Sequence, residues 1–274
     1  MNVYDSFFSI LIYIIRQKKL PRIFFPKTLT EKIFYLKLRP NLELSKLRTR
    51  VSDRIRVRDY VSQKKQHDIL IPLLWTGLNL SKQEWDLLPN KFVVKANHGS
   101  KMVSIVDKKN TTYESICDEI KKWQKIDYYK KGREWVYKNL PRTIIIEELL
   151  NFENGIPPDY KFFCINGRVE FVQVDLDRFS KHKRNIYTRD FSLTNVKYQF
   201  EIGDDIKKPA LYEDAVKIAE QLSTEFDFIR VDLYILEDKI YFGELTNFPG
   251  NCLEKFDPSS FDEKMGLKLR LLKK

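Results

Sequence analysis

The chain opens on an apolar run over residues 7–15, interrupted by Ser9 and Tyr13 and followed by Arg16, Lys18 and Lys19. That pattern predicts a helix over the first twenty residues with a basic end. It can pack on the body of the fold or lie in a membrane interface, and its thin polar face at Ser6, Ser9 and Tyr13 favours packing. Thr28-Leu-Thr-Glu31 is a capping box that starts a second helix, which runs to about Arg39 and stops at Pro40. Residues 45–66 are densely charged, with apolar positions at Leu47, Val51, Ile55, Tyr60 and Val61. They predict one surface helix whose basic residues form a solvated face.

From residue 90 the texture changes to short β-branched and aromatic runs. Strands are predicted over 92–95, 103–106 and 143–146, with a helix over 111–126. Residues 160–165 and 168–175 flank Asn166-Gly167, the strongest hairpin signal in the chain. Apolar spacing at Leu211, Ala215, Ile218, Ala219 and Leu222 predicts a helix over 211–226. Strands over 227–236 and 240–246 and a helix over 261–272 come next. Strands and helices do not alternate regularly, so the fold class is α+β with much antiparallel sheet.

At 274 residues, 43% apolar and 32% charged, the composition is globular. A chain this long buries roughly 75% of its unfolded surface and needs no disulfide or structural metal. The apolar run at 7–15 is shorter than the roughly 18 residues that cross a bilayer. Its basic residues follow rather than precede it, and no small-residue cleavage site comes next, so it does not read as a signal peptide. Cys117, Cys164 and Cys252 lie far apart, with neither zinc-ligand spacing nor a disulfide framework. They read as core thiols of a protein kept in a reducing compartment. The net charge of +11 points to a polyanionic partner: nucleic acid, an anionic membrane face, a nucleotide or an acidic glycan. No zinc-finger, zipper or RNA-recognition pattern supports nucleic acid.

Two tracts carry candidate chemistry. In Arg230-Val-Asp232 to Glu244-Leu-Thr246, a three-residue loop at 237–239 puts 236 opposite 240, 234 opposite 242 and 232 opposite 244. Arg230 and Thr246 then stand one pair further along the same face. Like charges directly opposite each other are destabilising, so a proton, Arg230 or a hard cation such as Mg²⁺ has to compensate. The plain alternative is a solvated acidic pair with Arg230 as its salt-bridge partner. The second tract is Lys95, at the end of an apolar strand, with Asn97-His98-Gly99-Ser100-Lys101 after it. Such a loop can turn backbone N–H groups and a lysine toward phosphate, although it also reads as an ordinary turn and is no P-loop. His98 is either a proton-transfer group or a hydrogen-bonding loop histidine. His182 lies in the basic tract 178–184, an anion site or a solvated segment.

Taken together, Phe92-Val-Val-Lys95 with its loop, Ile144-Ile-Ile-Glu147-Glu148-Leu149-Leu150, Pro158-Asp159-Tyr160, Arg230-Val-Asp232 and Glu244-x-Thr246-x-x-Pro249-Gly250 resemble an ATP-grasp enzyme. Their order and spacing are similar to those of D-alanine–D-alanine ligase and its relatives. A closer resemblance is to the TupA-like ATP-grasp family of cell-surface polysaccharide biosynthesis. It is carried by Pro26-Lys-Thr28-Leu-Thr-Glu31-Lys32, Asn97-His98-Gly99-Ser100, Asp159-Tyr-Lys161-Phe-Phe-Cys-Ile-Asn-Gly167, Asp177-Arg178-Phe-Ser-Lys-His182-Lys-Arg184-Asn185 and Tyr241-Phe-Gly-Glu244-Leu-Thr246. The likeness covers most of residues 26–258.

The resemblance implies an ATP-grasp fold with ATP between two α+β subdomains. An N-terminal helix would occupy 1–25, a helical region 26–89, the small subdomain 90–150 and the large subdomain, with the metal site, 151–274. It implies that Lys95 contacts nucleotide phosphate with the His98-Gly99-Ser100 loop. Glu147, Leu149 and Leu150 would line the adenine hinge, and Asp159 would take the ribose hydroxyls. Lys161 and Arg178 would also face the nucleotide. Asp232 and Glu244 would hold Mg²⁺. The family's usual Asn ligand, two residues after the Glu, is Thr246 here, with Asn247 adjacent. Arg230 would stabilise charge on the transferring phosphoryl group, and Lys183 or Arg184 would make a second phosphate contact. Relatives carry further glycines where this chain has Lys101-Met102.

The implied activity is an ATP- and Mg²⁺-dependent carboxylate–amine ligase that works through an acylphosphate. Its substrates would be an acidic sugar or polysaccharide precursor, of capsule, teichuronic acid or O-antigen type, and an amino acid or other amine. No nucleic-acid partner is expected. The expected location is cytoplasmic, with residues 1–25 as a contact to the inner membrane face or to an assembly complex. Two other readings stand beside this one. One is a glycosyltransferase, although Asp175-Leu-Asp177, which has the metal-binding spacing, sits where the family has its anion-binding tract; the other is a scaffold that has kept the fold and lost the chemistry.

Overall fold

The structure, a computed structural model, describes residues 2–64, 66–150, 158–176 and 181–271. Four helices come first: α1 (Val3–Gln17), α2 (Leu29–Leu38), α3 (Leu42–Ser52) and α4 (Arg56–Gln63). Next are β1 (Leu73–Gly77), α5 (Lys82–Leu87), β2 (Lys91–Ala96), β3 (Val103–Asp107), α6 (Tyr113–Lys125), α7 (Tyr128–Gly132) and β4 (Ile144–Glu148). Then follow β5 (Asp159–Ile165), β6 (Arg168–Leu176), β7 (Lys183–Thr188), β8 (Lys197–Tyr198), α8 (Tyr212–Ser223), β9 (Phe228–Ile235), β10 (Ile240–Thr246), β11 (Phe256–Asp257) and α9 (Ser259–Lys268).

Two sheets dominate, a four-stranded one in the order β1-β4-β2-β3 and a five-stranded one in the order β10-β9-β5-β6-β7. Every strand pair described is antiparallel, as the α+β reading requires. The small sheet reaches back to β1, well ahead of the start expected at residue 90. Its inner face (Phe92, Val94, Ala96, Val106, Ile144, Ile146) packs with Ile116, Ile120 and Trp123 of α6. One face of the large sheet buries Phe162, Val172, Val174, Val231 and Leu233 with Ala215, Ala219 and Leu222 of α8. Its other face is divided. One end is apolar, with Phe163, Phe171, Ile186 and Phe228 packed with residues of α1, α2 and α9. The remaining end is polar and carries the candidate site.

The capping box at Thr28 forms with both of its hydrogen bonds, and Asn166 and Gly167 make the β5–β6 turn with φ of 48° and 80°. Residues 45–66 do not form one surface helix. The buried Asp53 carboxylate accepts from the backbone N–H of Ile55 and Arg56 (2.9 and 3.0 Å) and starts α4 in a new direction. Nor is the basic face solvated: Arg48 is buried in an ion pair with Asp227, and Val51, Val57, Tyr60 and Val61 join the core. The last helix begins at Ser259 and ends at Lys268, shifted toward the N-terminus from the expected 261–272. β7 takes up Lys183 and Arg184 from the end of the basic tract, and Arg184 faces a buried polar cluster rather than water.

Candidate active site

Register alone gathers the polar residues of the large sheet. Lys161 stands between Asp232 on β9 and Gln173 on β6; Asp159 faces Asp175, Asp175 faces Arg184, Asp232 faces Glu244, and Arg230 faces Thr246. Residues paired across strands share a face, so all nine line one side of the sheet. Seven of them are buried, while Glu244, which lines the cleft, and Thr246 are half-buried. Charged groups are this deeply buried only when paired.

The pairing has two centres. Arg230 binds Asp232 bidentately, Nε to Oδ1 at 2.7 Å and Nη2 to Oδ2 at 2.6 Å. Its Nη2 also reaches Glu244 Oε1 at 3.2 Å and Thr246 Oγ1 at 3.0 Å, and the Thr246 hydroxyl donates to Glu244 Oε1 at 2.8 Å. Arg230 is therefore the compensating charge between the two carboxylates. Burial works against charge on Arg230, but Asp232 and Glu244 outweigh it and raise its pKa. Burial also pushes the Asp232 carboxyl up, to about 7, against the pull of Arg230 and Lys161. Glu244 goes the other way: burial is overcome by Arg54, Arg230 and the Thr246 hydrogen bond, which hold it at about 2.

The second centre is Asp175. It accepts from Arg184 Nε at 2.6 Å and from the Gln173 amide at 3.0 and 3.1 Å, with Lys161 Nζ 3.3 Å and His182 Nε2 3.2 Å away. Lys161 also pairs with Asp159. Burial would raise Asp175, but Lys161 and Arg184 hold it well below the usual carboxylate range. Asp177 and Arg178 lie outside the described residues. Lys183 packs its stem against Gly203.

The small sheet supplies the facing wall. Lys95 Nζ pairs with Glu147 Oε2 at 2.6 Å, and Glu147 Oε1 takes Arg58 Nη1 at 3.2 Å. The Glu147 carboxylate is thus committed to two cations, while Leu149 and Leu150 follow β4 half-buried. Gly99 lines the cleft, and a Cβ there would come within 2.5 Å of the Tyr128 ring and 2.7 Å of the Met102 methyl. Met102 is buried under the loop, which is a packing reason for a large side chain where glycine was expected. Ser100 continues the loop half-buried. His98 points away from the cleft: buried, it meets the Trp123 carbonyl through Nε2 at 3.0 Å, and burial lowers its pKa. Asn247 also turns away from the carboxylate pair. Its Oδ1 accepts from Arg48 at 2.7 Å, and its amide donates to Arg48 O and Ser52 Oγ.

Sequence reasoning missed Arg54 and Arg58. The break at Asp53 drops Arg54 between the two walls. Its N–H donates to Asn97 Oδ1 at 2.6 Å, its Nε to Ala96 O at 3.2 Å, and its Nη2 lies 3.6 Å from Glu244 Oε2. The only available signal was an Asp in mid-helix, which competes for backbone N–H groups. The cleft between the walls encloses a cavity of about 30 Å³, lined by Arg54, Arg58, Lys95, Gly99, Glu147 and Glu244 among others.

Among the described residues no three His, Cys, Asp or Glu side chains are gathered as metal ligands, so the candidate metal site rests on a pair. The pair is oxygen-only, with Glu244 lining the cleft and the buried Asp232 opposite it on β9, a donor type that suits the hard Mg²⁺ ion when substrate phosphates and water complete its shell.

A search of curated proteins gives no match. Among solved structures the chain is similar to D-alanine–D-alanine ligase from Bacillus anthracis, at 16% identity and TM-score 0.44 over 80% of this chain and 65% of that one. It is similar to the Helicobacter pylori ligase at 15% identity and TM-score 0.46, over 88% and 68% of the two chains. With the ATP-grasp ligase PsnB, identity is 10% and TM-score 0.43, over 82% and 60%. The chain thus spans about two thirds of the length of the Bacillus ligase. A family model described as TupA-like ATPgrasp matches residues 31–270, and the chain belongs to the TupA-like ATP-grasp family.

Proposed function

We propose that the protein is an ATP- and Mg²⁺-dependent ligase that joins a carboxylate to an amine. The observation that carries this reading is the cleft itself: Glu244, held by Arg230 beside the buried Asp232, lines one wall and Lys95 lines the other. Lys95 and the Gly99 loop would meet nucleotide phosphates, Leu149 and Leu150 the adenine, and Asp159 the ribose. Asp232 and Glu244, with the Thr246 hydroxyl beside them, would hold Mg²⁺, which when bound would offset phosphate charge. Arg230 and Arg184 would offset charge on the phosphoryl group in transfer. A substrate carboxylate oxygen would attack the γ-phosphorus and release ADP. The amine would then add to the acyl carbon, and phosphate would leave with formation of the amide. Ligand pockets run to about 300 Å³ or more. Nucleotide entry would therefore part the walls and break the Arg54–Glu244 contact.

The substrate reading is an acidic sugar or polysaccharide precursor with an amino acid or amine, which suits the net charge of +11. Release of ADP, measured with a panel of uronic acids and amino acids, tests the proposal. Release that requires one acid and one amine together supports it, and hydrolysis indifferent to both counts against it.

A further inference from the structure

α1 is mounted the opposite way round from an ordinary surface helix. The residues it buries are Asp5, Ser9, Tyr13 and Gln17, a polar stripe spaced four apart. Three of the four meet partners there. Asp5 binds the Tyr129 hydroxyl and lies 3.3 Å from Arg133, Tyr13 packs on Phe34 with ring centres 4.6 Å apart, and Gln17 donates to Glu254 O at 3.1 Å. The stripe that faces water is the apolar one: Val3, Tyr4, Phe7, Leu11 and Ile15 are 88, 65, 67, 44 and 64% exposed. Leu20, Phe24 and Phe25 extend the exposed apolar set beyond the helix. A contiguous apolar face of this kind marks an interaction site.

The charge around it selects the partner. Residues 6–30 carry Arg16, Lys18, Lys19, Arg22 and Lys27 and no Asp or Glu. Arg22 is answered by Glu31, while Arg16, Lys18, Lys19 and Lys27 are exposed. A second copy docked through this face by two-fold symmetry would bring these cations against their own counterparts. A soluble polyanion would answer the cations but leave the aromatic and aliphatic side chains in water. An anionic bilayer surface satisfies both, with apolar side chains in the headgroup–acyl boundary and lysines at the phosphates. No helix among the described residues is long and apolar enough to cross a membrane, so the contact is interfacial.

We propose that the outward face of α1, with Leu20, Phe24 and Phe25, docks the protein in plane on an anionic phospholipid surface. This inference does not depend on the ligase reading. The test is flotation of the full chain with vesicles of phosphatidylcholine, with and without phosphatidylglycerol. The wild-type protein should partition at least about 10-fold more strongly into the anionic vesicles, and added salt should weaken that preference. Phe7→Ser/Leu11→Ser/Ile15→Ser should lower binding by about 100-fold or more while keeping the wild-type melting temperature, because these side chains are already in water. Lys18→Glu/Lys19→Glu should lower it without touching the apolar face, which keeps the test valid if the triple variant folds poorly. Failure of the wild-type chain to float with anionic vesicles would overturn the proposal, as would unchanged binding by both variants. So would a solution dimer that the triple variant dissolves with no vesicle binding, since a second copy would then cover the face. The shift in melting temperature with ATP and Mg²⁺, measured on the same samples, reports on the ligase reading separately.

Discussion

Two hairpins build the polar face of the large sheet, and both would put the wrong residues there if paired straight from their turns. In β5–β6, Ile165 faces Arg168 across the Asn166-Gly167 turn; continued without interruption, Lys161 would face Val172 and Asp159 would face Val174. An extra residue at Glu170 shifts the ladder, so Lys161 meets Gln173 and Asp159 meets Asp175. In β9–β10, Ile235 faces Ile240, and straight pairing would set Glu244 opposite Val231 on the apolar side. The extra residue Gly243 sets Glu244 opposite Asp232 instead. The bulges do the same work with different chemistry. Glu170 sits far from the cleft and spends its side chain on Lys268. Gly243 abuts the carboxylate pair, and a Cβ there would stand 3.0 Å from the Asp232 carbonyl oxygen. The β5–β6 bulge carries a side chain, whereas a side chain in place of Gly243 would crowd the Asp232 carbonyl.

Deleting Gly243 breaks the comparison most severely. Glu244 would move to the face of Val231 and Leu245, and we expect nucleotide-dependent stabilisation to vanish and the fold to lose about 3 kcal/mol or more. Circular dichroism melts with and without ATP and Mg²⁺ check both. Arg230→Met comes next, because it leaves Asp232 and Glu244 facing each other without their shared cation. We expect a loss of about 3 kcal/mol in the apo protein, read by urea unfolding. Gly167→Ala sharpens the contrast from the other hairpin. The residue sits at φ 80°, and an added Cβ would meet Thr224 Cα at an unstrained 3.7 Å, so backbone strain costs about 1 kcal/mol and nucleotide binding stays unchanged.

The smallest expected effect is a pH dependence. Burial, with Glu244 adding to it and Lys37 opposing, pushes Glu134 up to about 7. A carboxyl raised in the folded state contributes stability that is complete below its unfolded pKa and is lost as pH rises through the folded one. The apo melting temperature should therefore fall as pH rises from 5 to 8, and Glu134→Gln should flatten that slope.

The capping box at Thr28, the Asn166-Gly167 turn and the helix over 211–226 were legible because local chemistry alone decides them. The pairing of Asp232 with Glu244 was also anticipated, but through two cancelling misreadings. The loop was taken one residue too short, and the bulge at Gly243 was not foreseen. Arg54 and Arg58 were hidden for a different reason. In sequence they belong to a charged helix face, and only the turn at Asp53 carries them into the cleft. β7 is hidden in the same way, since its Arg184 answers Asp175 rather than solvent. On α1 the periodicity was read correctly and the side facing inward was not. The buried stripe is polar because its partners Tyr129, Arg133 and Glu254 lie far away in the chain.

The central claim is that Asp232 and Glu244 form the anchor through which Mg²⁺ couples ATP to this cleft. Thermal unfolding of the wild-type chain and of Asp232→Asn, each with ATP in the presence and absence of Mg²⁺, tests it most directly. At about 100 times the dissociation constant, ATP with Mg²⁺ should add about 2.7 kcal/mol to the wild-type protein. Most of that gain should be lost without the metal and in Asp232→Asn. An equal gain in the variant, or no gain in the wild-type chain at millimolar ATP and Mg²⁺, would contradict the account.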